Sequence, residues 1–193
     1  MRLRQVGDKS PSHSLTLKCL GWARATPGTR GEWGQKITEQ RMRSRLIIVC
    51  GLPCSGKTTH AKSLESSLPA FRLCPDEWMQ ALAINLWNEA TRAKIEALQW
   101  SVAQQLLRLG VHVIIEWGTW GRSERDTLRE GCRKLGAAVE LHFLDVPVEE
   151  LFHRAQRRVM EDPPMTRDDL QRWSDGFEGP TPDEMALFDE PLI

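Results

Sequence analysis

From residue 46 onward, short runs of apolar residues alternate with longer stretches whose apolar positions recur at helical spacing. Residues 46–50 (LIIVC) form a continuous, largely β-branched apolar run, the pattern of a strand buried on both faces of a parallel sheet. Further strands are expected over 71–74, over 111–116 (VHVIIE) and over 139–144 (VELHFL), the last alternating in character. The spacing between them predicts helices over 59–67, 77–109 with a break near 88–91, 122–135, 148–160 and 166–177. Pro147 suits a helix entry, and Thr166 with Asp169 three residues on reads as a cap. The EDPPM segment at 161–165 then has to be a loop. Strands alternating with helices in this way predict right-handed β-α-β crossovers and a three-layer α/β sandwich with a mainly parallel sheet.

Residues 1–45 do not share this pattern. They carry ten Lys/Arg against three Asp/Glu, a balance of +7, whereas the remaining chain carries sixteen against twenty-three, a balance of −7. The formal net charge of zero conceals this division. We read residues 1–45 as a basic flexible extension and 46–193 as one folded domain, a size consistent with a single core. Other readings of the extension stay open: upstream sequence read through from a natural start at Met42, an Arg-rich transit peptide, or a basic arm for nucleic acid. With 40% hydrophobic and 27% charged residues, wholesale disorder and a fibrous architecture are excluded. No apolar run has the roughly 18 residues that would span a bilayer, so no membrane partner is expected. Five cysteines, odd in number and without paired metal-ligand spacing, point to a reduced cytoplasmic setting.

The strongest chemical signal is GLPCSGKT at 51–58, entered from a buried strand and left into a helix. Gly51, Pro53, Cys54, Ser55 and Gly56 form the expected phosphate-cradling loop. Its glycines permit the turn that aims successive N–H groups at phosphate oxygens. Lys57 would reach the β- and γ-phosphates, Thr58 would offer its hydroxyl to Mg²⁺, and Thr59 opens the helix. Together they predict a site for ATP and Mg²⁺.

With CPDEW at 74–78, VIIEWGTW at 113–120 and LFHRAQRR at 151–158, this loop occurs in an order that resembles the zeta-toxin, chloramphenicol-phosphotransferase and polynucleotide-5′-kinase branch of P-loop kinases. The likeness is strongest to bacterial ATP-binding proteins regarded as kinases, and it runs from residue 46 to the C-terminus. It implies an adenylate-kinase-like core with a small helical lid, an acidic residue after the second strand that meets the acceptor hydroxyl, and an arginine-bearing lid.

Each implied role has its own chemistry. Asp76, just beyond a short strand, stands where open α/β sheets bind ligands and would orient and deprotonate an acceptor hydroxyl. An Asp before a helix is also a preferred N-cap, so that reading competes. Glu77, in the same helical turn, ranks behind it. Glu116 ends a strand where a carboxylate would hold Mg²⁺ through water, although the family more often shows Asp there. Trp78, Trp117 and Trp120 lie on expected loops around the same mouth, where aromatic faces can stack on a flat or sugar-like acceptor. Arg154 and Arg158, four apart on one helix face, match the family's lid spacing and would neutralise charge on the transferring phosphoryl group. Arg122 is a further candidate for acceptor or phosphate binding. The histidines at 60, 112, 142 and 153 make no metal triad.

The expected function is transfer of the γ-phosphoryl group of ATP to a hydroxyl of a small molecule. A non-catalytic or hydrolytic ATP-binding switch and a nucleic-acid 5′-end kinase remain as alternatives. The −7 balance of residues 46–193 argues against a long polyanion groove, although the basic extension could compensate. Removing residues 1–41 is expected to keep the melting temperature within about 3 °C, because a solvated segment contributes few buried contacts. Thermal melts of the full and shortened chains check this, and a larger drop would place the extension in the core.

Overall fold

In the computed structural model, residues 43–158 and 162–193 are described. They contain one four-stranded parallel sheet of order β2-β3-β1-β4, built from β1 (Arg45–Cys50), β2 (Ala70–Leu73), β3 (His112–Gly118) and β4 (Ala138–Phe143). Helix α1 (Lys57–Ser67) joins β1 to β2, while α2 (Pro75–Ala81) and α3 (Glu89–Arg108) join β2 to β3. Helix α4 (Arg122–Lys134) joins β3 to β4, and α5 (Val148–Arg157), α6 (Arg167–Gly176) and α7 (Pro182–Met185) follow. This is the three-layer α/β P-loop fold expected from the sequence.

Alternation along the central strand divides the core. Leu46, Ile48 and Cys50 pack with Val113, Ile115, Val139 and Leu141 against Ala103 and Leu107 of α3 and Leu128 and Cys132 of α4. Ile47, Val49 and Ile114 turn the other way, onto Ala61 and Leu64 of α1. A smaller cluster joins Leu52 and Cys54 to Leu151 of α5 and Leu170 of α6, seating these helices against the loop after β1. Among the described residues, Cys50, Cys54, Cys74 and Cys132 are buried and none is in a disulfide.

Several boundaries move for local reasons. The fold starts before residue 46: Arg43 donates to the Gly136 and Ala137 carbonyls at 2.8 and 3.2 Å, and the Ser44 carbonyl accepts from Ala138 N–H at 2.8 Å. The rest of the expected extension, residues 1–42, lies outside the described residues. The 77–109 stretch is two helices, the second capped by the Asn88 side chain accepting from Thr91 N–H at 3.0 Å. Strand β3 runs on to Gly118 because its register with β1 shifts between Ile48 and Cys50, inserting an extra residue. Such bulges re-aim side chains beside functional sites, and here Glu116 and Trp117 sit at the shift. Helix α5 ends at Arg157, since residue 158 is extended. The expected continuation through 159–160 lies outside the described residues. Thr166 and Asp169 form the expected reciprocal cap.

Helix α7 is not legible as an element in the sequence, being four residues long. It anchors the C-terminal segment through Glu184, whose carboxylate takes Nε and Nη2 of Arg125 at 2.6 and 2.9 Å. Both side chains are almost wholly buried, and Arg125 Nη1 also donates to the Thr119 carbonyl at 2.9 Å. Removing one partner leaves an uncompensated buried charge, so Glu184→Gln is expected to lower the unfolding free energy by about 3–5 kcal/mol. Arg125→Met with Glu184→Leu is expected to recover most of that loss. Urea titrations of the single and double variants give the measurement, and equal destabilisation in both would contradict the account.

Candidate active site

Strand β1 delivers the chain into the loop at 51–56 at the carboxyl end of the sheet. Gly51 has φ +147°, and a Cβ there would lie 2.8 Å from the Leu144 carbonyl and 2.9 Å from Ser55 Oγ. No other residue fits that turn without displacement. Gly56, left-handed at φ +102°, is the N-cap of α1, which has no side-chain cap and no acidic residue in its first turn. The first N–H groups of an eleven-residue helix are thus left for a ligand, and Ser55 Oγ beside them is buried without a partner. The Lys57 ammonium folds back onto the Leu52 carbonyl at 2.8 Å. Burial pushes it down to about 8, with the Asp76 carboxylate the largest opposing influence. These features fit an anionic group such as a phosphate.

The loop opens into a cavity of about 1070 Å³. Asp76 lines it, held by Arg92 of α3 at 2.6 Å and standing 4.0 Å from Arg158. Pro75 begins α2 and Cys74 is its N-cap, so Asp76 sits two positions past the cap, inside the helix. The capping reading is therefore set aside, and the carboxylate points to the cavity. Arg154 reaches from α5 to the Ser55 carbonyl at 3.0 Å while its Nε pairs with Glu150 at 2.8 Å. Asn85 Nδ2 donates to the Asp162 carbonyl at 3.1 Å and Trp87 Nε1 to the Pro163 carbonyl at 2.9 Å, which ties the segment after α5 across the cavity.

Glu116 lines the cavity from β3, but its buried carboxylate also takes the guanidinium of Arg72. Arg72 pairs with Ile114 in the sheet, which places it diagonally from Glu116 on one face. The same guanidinium binds Glu77 at 2.6 Å and Glu65 at 3.1 Å. Against the cost of burial, Arg72 and Lys62 hold the Glu77 carboxyl below its usual range.

Among the residues singled out from the sequence, Pro53, Cys54, Gly56, Lys57, Thr58, Thr59, Asp76, Glu116, Trp117, Trp120, Arg154 and Arg158 line this one cavity. Gly51 and Ser55 shape the loop from behind. Three others point elsewhere. Glu77 faces Arg72 and Lys62, Trp78 packs against the core cluster, and Arg122 pairs with Asp126 at 3.5 Å on the outer face of α4. Helix direction explains this: Asp76 turned to the cavity leaves its neighbours at 77 and 78 on other faces of α2.

Sequence reasoning missed the α3 wall. Glu89, Arg92, Glu96 and Trp100 recur at three- and four-residue spacing and border the cavity together. That spacing of charge and indole on one long helix was the available signal. Trp87 and Trp173 were missed too, and they pack on each other with ring centroids 5.7 Å apart, Trp173 standing 6.2 Å from Trp120.

A sequence model of the AAA-domain family matches residues 46–180. No curated protein matches the chain at a significant level. Among solved structures, a chain of the Pnkp1/Rnl/Hen1 RNA repair complex superposes with a TM-score of 0.62 at 19% identity, over 76% of this chain and 47% of that one. The present chain thus spans about half the length of that relative. A sugar kinase from Janibacter gives 0.55 at 26% identity over 73% and 82% of the two chains. Kti12 from Chaetomium thermophilum, solved with ADP-AlF3, gives 0.55 at 20% over 72% and 82%.

Glu96 gives the α3 wall a measurable pH signature. Burial pushes its carboxyl up to about 7, with Arg92 pulling it down and Glu124 and Asp76 adding to the rise. The folded state therefore holds the proton more tightly than the unfolded chain, and the cost of ionisation grows from about pH 4.5 to pH 7 and is complete above it. Glu96→Gln should melt with the wild type near pH 4.5 and roughly 2–4 °C above it at pH 8, the shift that about 1 kcal/mol produces at this size. Calorimetry at the two pH values checks this, and a pH-independent difference would contradict it.

Proposed function

The chain belongs to the AAA-domain family, and from that premise we propose that it is a P-loop kinase which moves the γ-phosphoryl group of ATP to a hydroxyl of a small molecule. The observation that carries this reading is that one cavity holds both the uncapped first turn of α1 and the Asp76 carboxylate, with Arg158 4.0 Å from that carboxylate. The likeness to a sugar kinase at 26% identity supports it. The resemblance to the zeta-toxin and chloramphenicol-phosphotransferase branch belongs to the same proposal.

ATP would place its phosphates on the loop at 51–58, against the N–H groups of α1, Lys57 and Ser55. Phosphate oxygens would replace the Leu52 carbonyl as the partner of Lys57 and favour its charged form. Thr58 and Glu116 both border the cavity and offer the hard oxygen donors that suit Mg²⁺, which would neutralise charge on the phosphates. Asp76, oriented by Arg92, would accept the acceptor's hydroxyl proton as its oxygen bonds to the γ-phosphorus. The bond from phosphorus to the β–γ bridging oxygen breaks, and ADP leaves. Arg154 and Arg158 would meet the charge that builds on the transferring group.

Two alternatives differ in observable ways. A switch would hydrolyse ATP without an acceptor. A 5′-end kinase, which the fold shared with the RNA repair chain keeps in view, would act on a 5′-hydroxyl oligonucleotide. Glu89, Glu96 and Glu124 along the cavity weigh against a polyanionic acceptor.

A screen of hydroxyl compounds for ATP-dependent phosphorylation, with three variants alongside, tests the proposal. Asp76→Asn is expected to keep the melting temperature and ATP affinity while losing roughly 10²- to 10⁴-fold in turnover. Arg158→Ala should lose at least about tenfold in turnover with ATP affinity within a few fold, since its strongest interaction is with the transition state. Lys57→Ala should impair both. Near-wild-type transfer by Asp76→Asn would remove Asp76 as the base. ATP turnover indifferent to every acceptor would favour the switch.

A further inference from the structure

The α3 side of the cavity carries information about the acceptor itself. Arg92, Glu96 and Trp100 follow one another at four-residue intervals along that wall, so the wall presents in turn the cation that holds Asp76, a carboxylate and an indole. Glu96 is partly buried yet takes no hydrogen bond or ion pair from any described residue. Arg92 is already committed to Asp76 at 2.6 Å and to the Leu86 carbonyl at 3.1 Å. Trp117 lines the same cavity, and its indole N–H is spent on Gln99 Oε1 of α3 at 2.8 Å, so its side chain offers the cavity only aromatic surface. A partly desolvated carboxylate with no hydrogen bond or ion pair among the described residues, in a cavity also lined by Trp100 and Trp117, is costly to leave unmatched and well matched to an ammonium group.

Resting on the kinase reading, we infer that the acceptor is a cationic amino alcohol or amino sugar whose ammonium pairs with Glu96 between Trp100 and Trp117 while its hydroxyl lies at Asp76. The hydroxyl oxygen forms the new bond to the γ-phosphorus, its proton passes to Asp76, and ADP departs, so the ammonium takes no part in bond-making. An anionic acceptor would instead meet Glu96 and Glu124 with no uncommitted arginine on that wall.

Matched probes decide the matter: D-glucosamine against D-glucose, and 2-deoxystreptamine against myo-inositol. Binding is read from the fluorescence of the cavity's tryptophans in the presence of a non-hydrolysable ATP analogue, and phosphoryl transfer is read separately with ATP. The cationic member of at least one pair is expected to bind at least tenfold more tightly than its neutral partner. Glu96→Gln should bring the two within about threefold, and Glu96→Asp should restore part of the preference. Equal or tighter binding of the neutral members, a preference that survives Glu96→Gln, or binding by neither member of either pair overturns the inference. Transfer to hydroxyl compounds without preference for a cation sinks it and keeps the kinase reading. Preferential binding with no transfer to any compound keeps the recognition and sinks the kinase reading.

Discussion

Everything in the site depends on a turn with no space for a side chain at its first residue. Gly51 leaves β1 against the Leu144 carbonyl at the end of β4, at a distance where any Cβ would collide. Because β1 is the interior strand flanked by β3 and β4, the loop it feeds emerges beside the ends of both neighbours. Gly56 closes the turn in a left-handed conformation that opens α1 without a side-chain cap. A buried strand on one side and a helix packed through Ala61 and Leu64 on the other hold the loop rigid, so its N–H groups are aimed before any ligand arrives.

Around that loop, charge is arranged by commitment of partners more than by abundance. The cavity arginines are engaged: Arg92 with Asp76, Arg154 with Glu150 and the loop carbonyls, and Arg158 with Asp76 at 4.0 Å. Arg72, behind the cavity, binds three carboxylates at once and holds Glu116 in place at the bulge of β3. Glu96 differs from Asp76 in taking no hydrogen bond or ion pair among the described residues while lying in a partly desolvated position. The C-terminal segment is fastened in a different way, by the buried pair of Arg125 and Glu184 and by Asp189 accepting from Val139 N–H at 2.6 Å.

Local chemistry in the chain announces some of these features and hides others. The LIIVC run and GLPCSGKT carry their own instructions, because a two-sided buried strand needs continuous apolar residues and a phosphate loop needs glycine at particular turns. The reciprocal cap of Thr166 and Asp169 is equally local and lies where the spacing places it. Asp76 is ambiguous in the sequence because Cys-Pro-Asp reads equally as a cap or as a side chain beyond it. Only the start of α2 at Pro75 resolves the choice. Trp78 and Arg122 resemble mouth residues because neighbours in sequence tend to be neighbours in space, but rotation about the helix sends them to the core and to the outer surface.

The order of strands and helices, the phosphate loop and the arginine spacing of α5 were determined by the sequence itself, since each follows from contacts within a few residues. The tertiary structure alone decided that α3 forms the far wall of the cavity, that Arg72 reaches Glu116 across two strands, and that Trp87, Trp120 and Trp173 gather from three separate segments. These groupings depend on how parallel strands are ordered and on the face each helix buries. Such choices are settled by the summed packing of distant residues, and no short stretch of sequence records them.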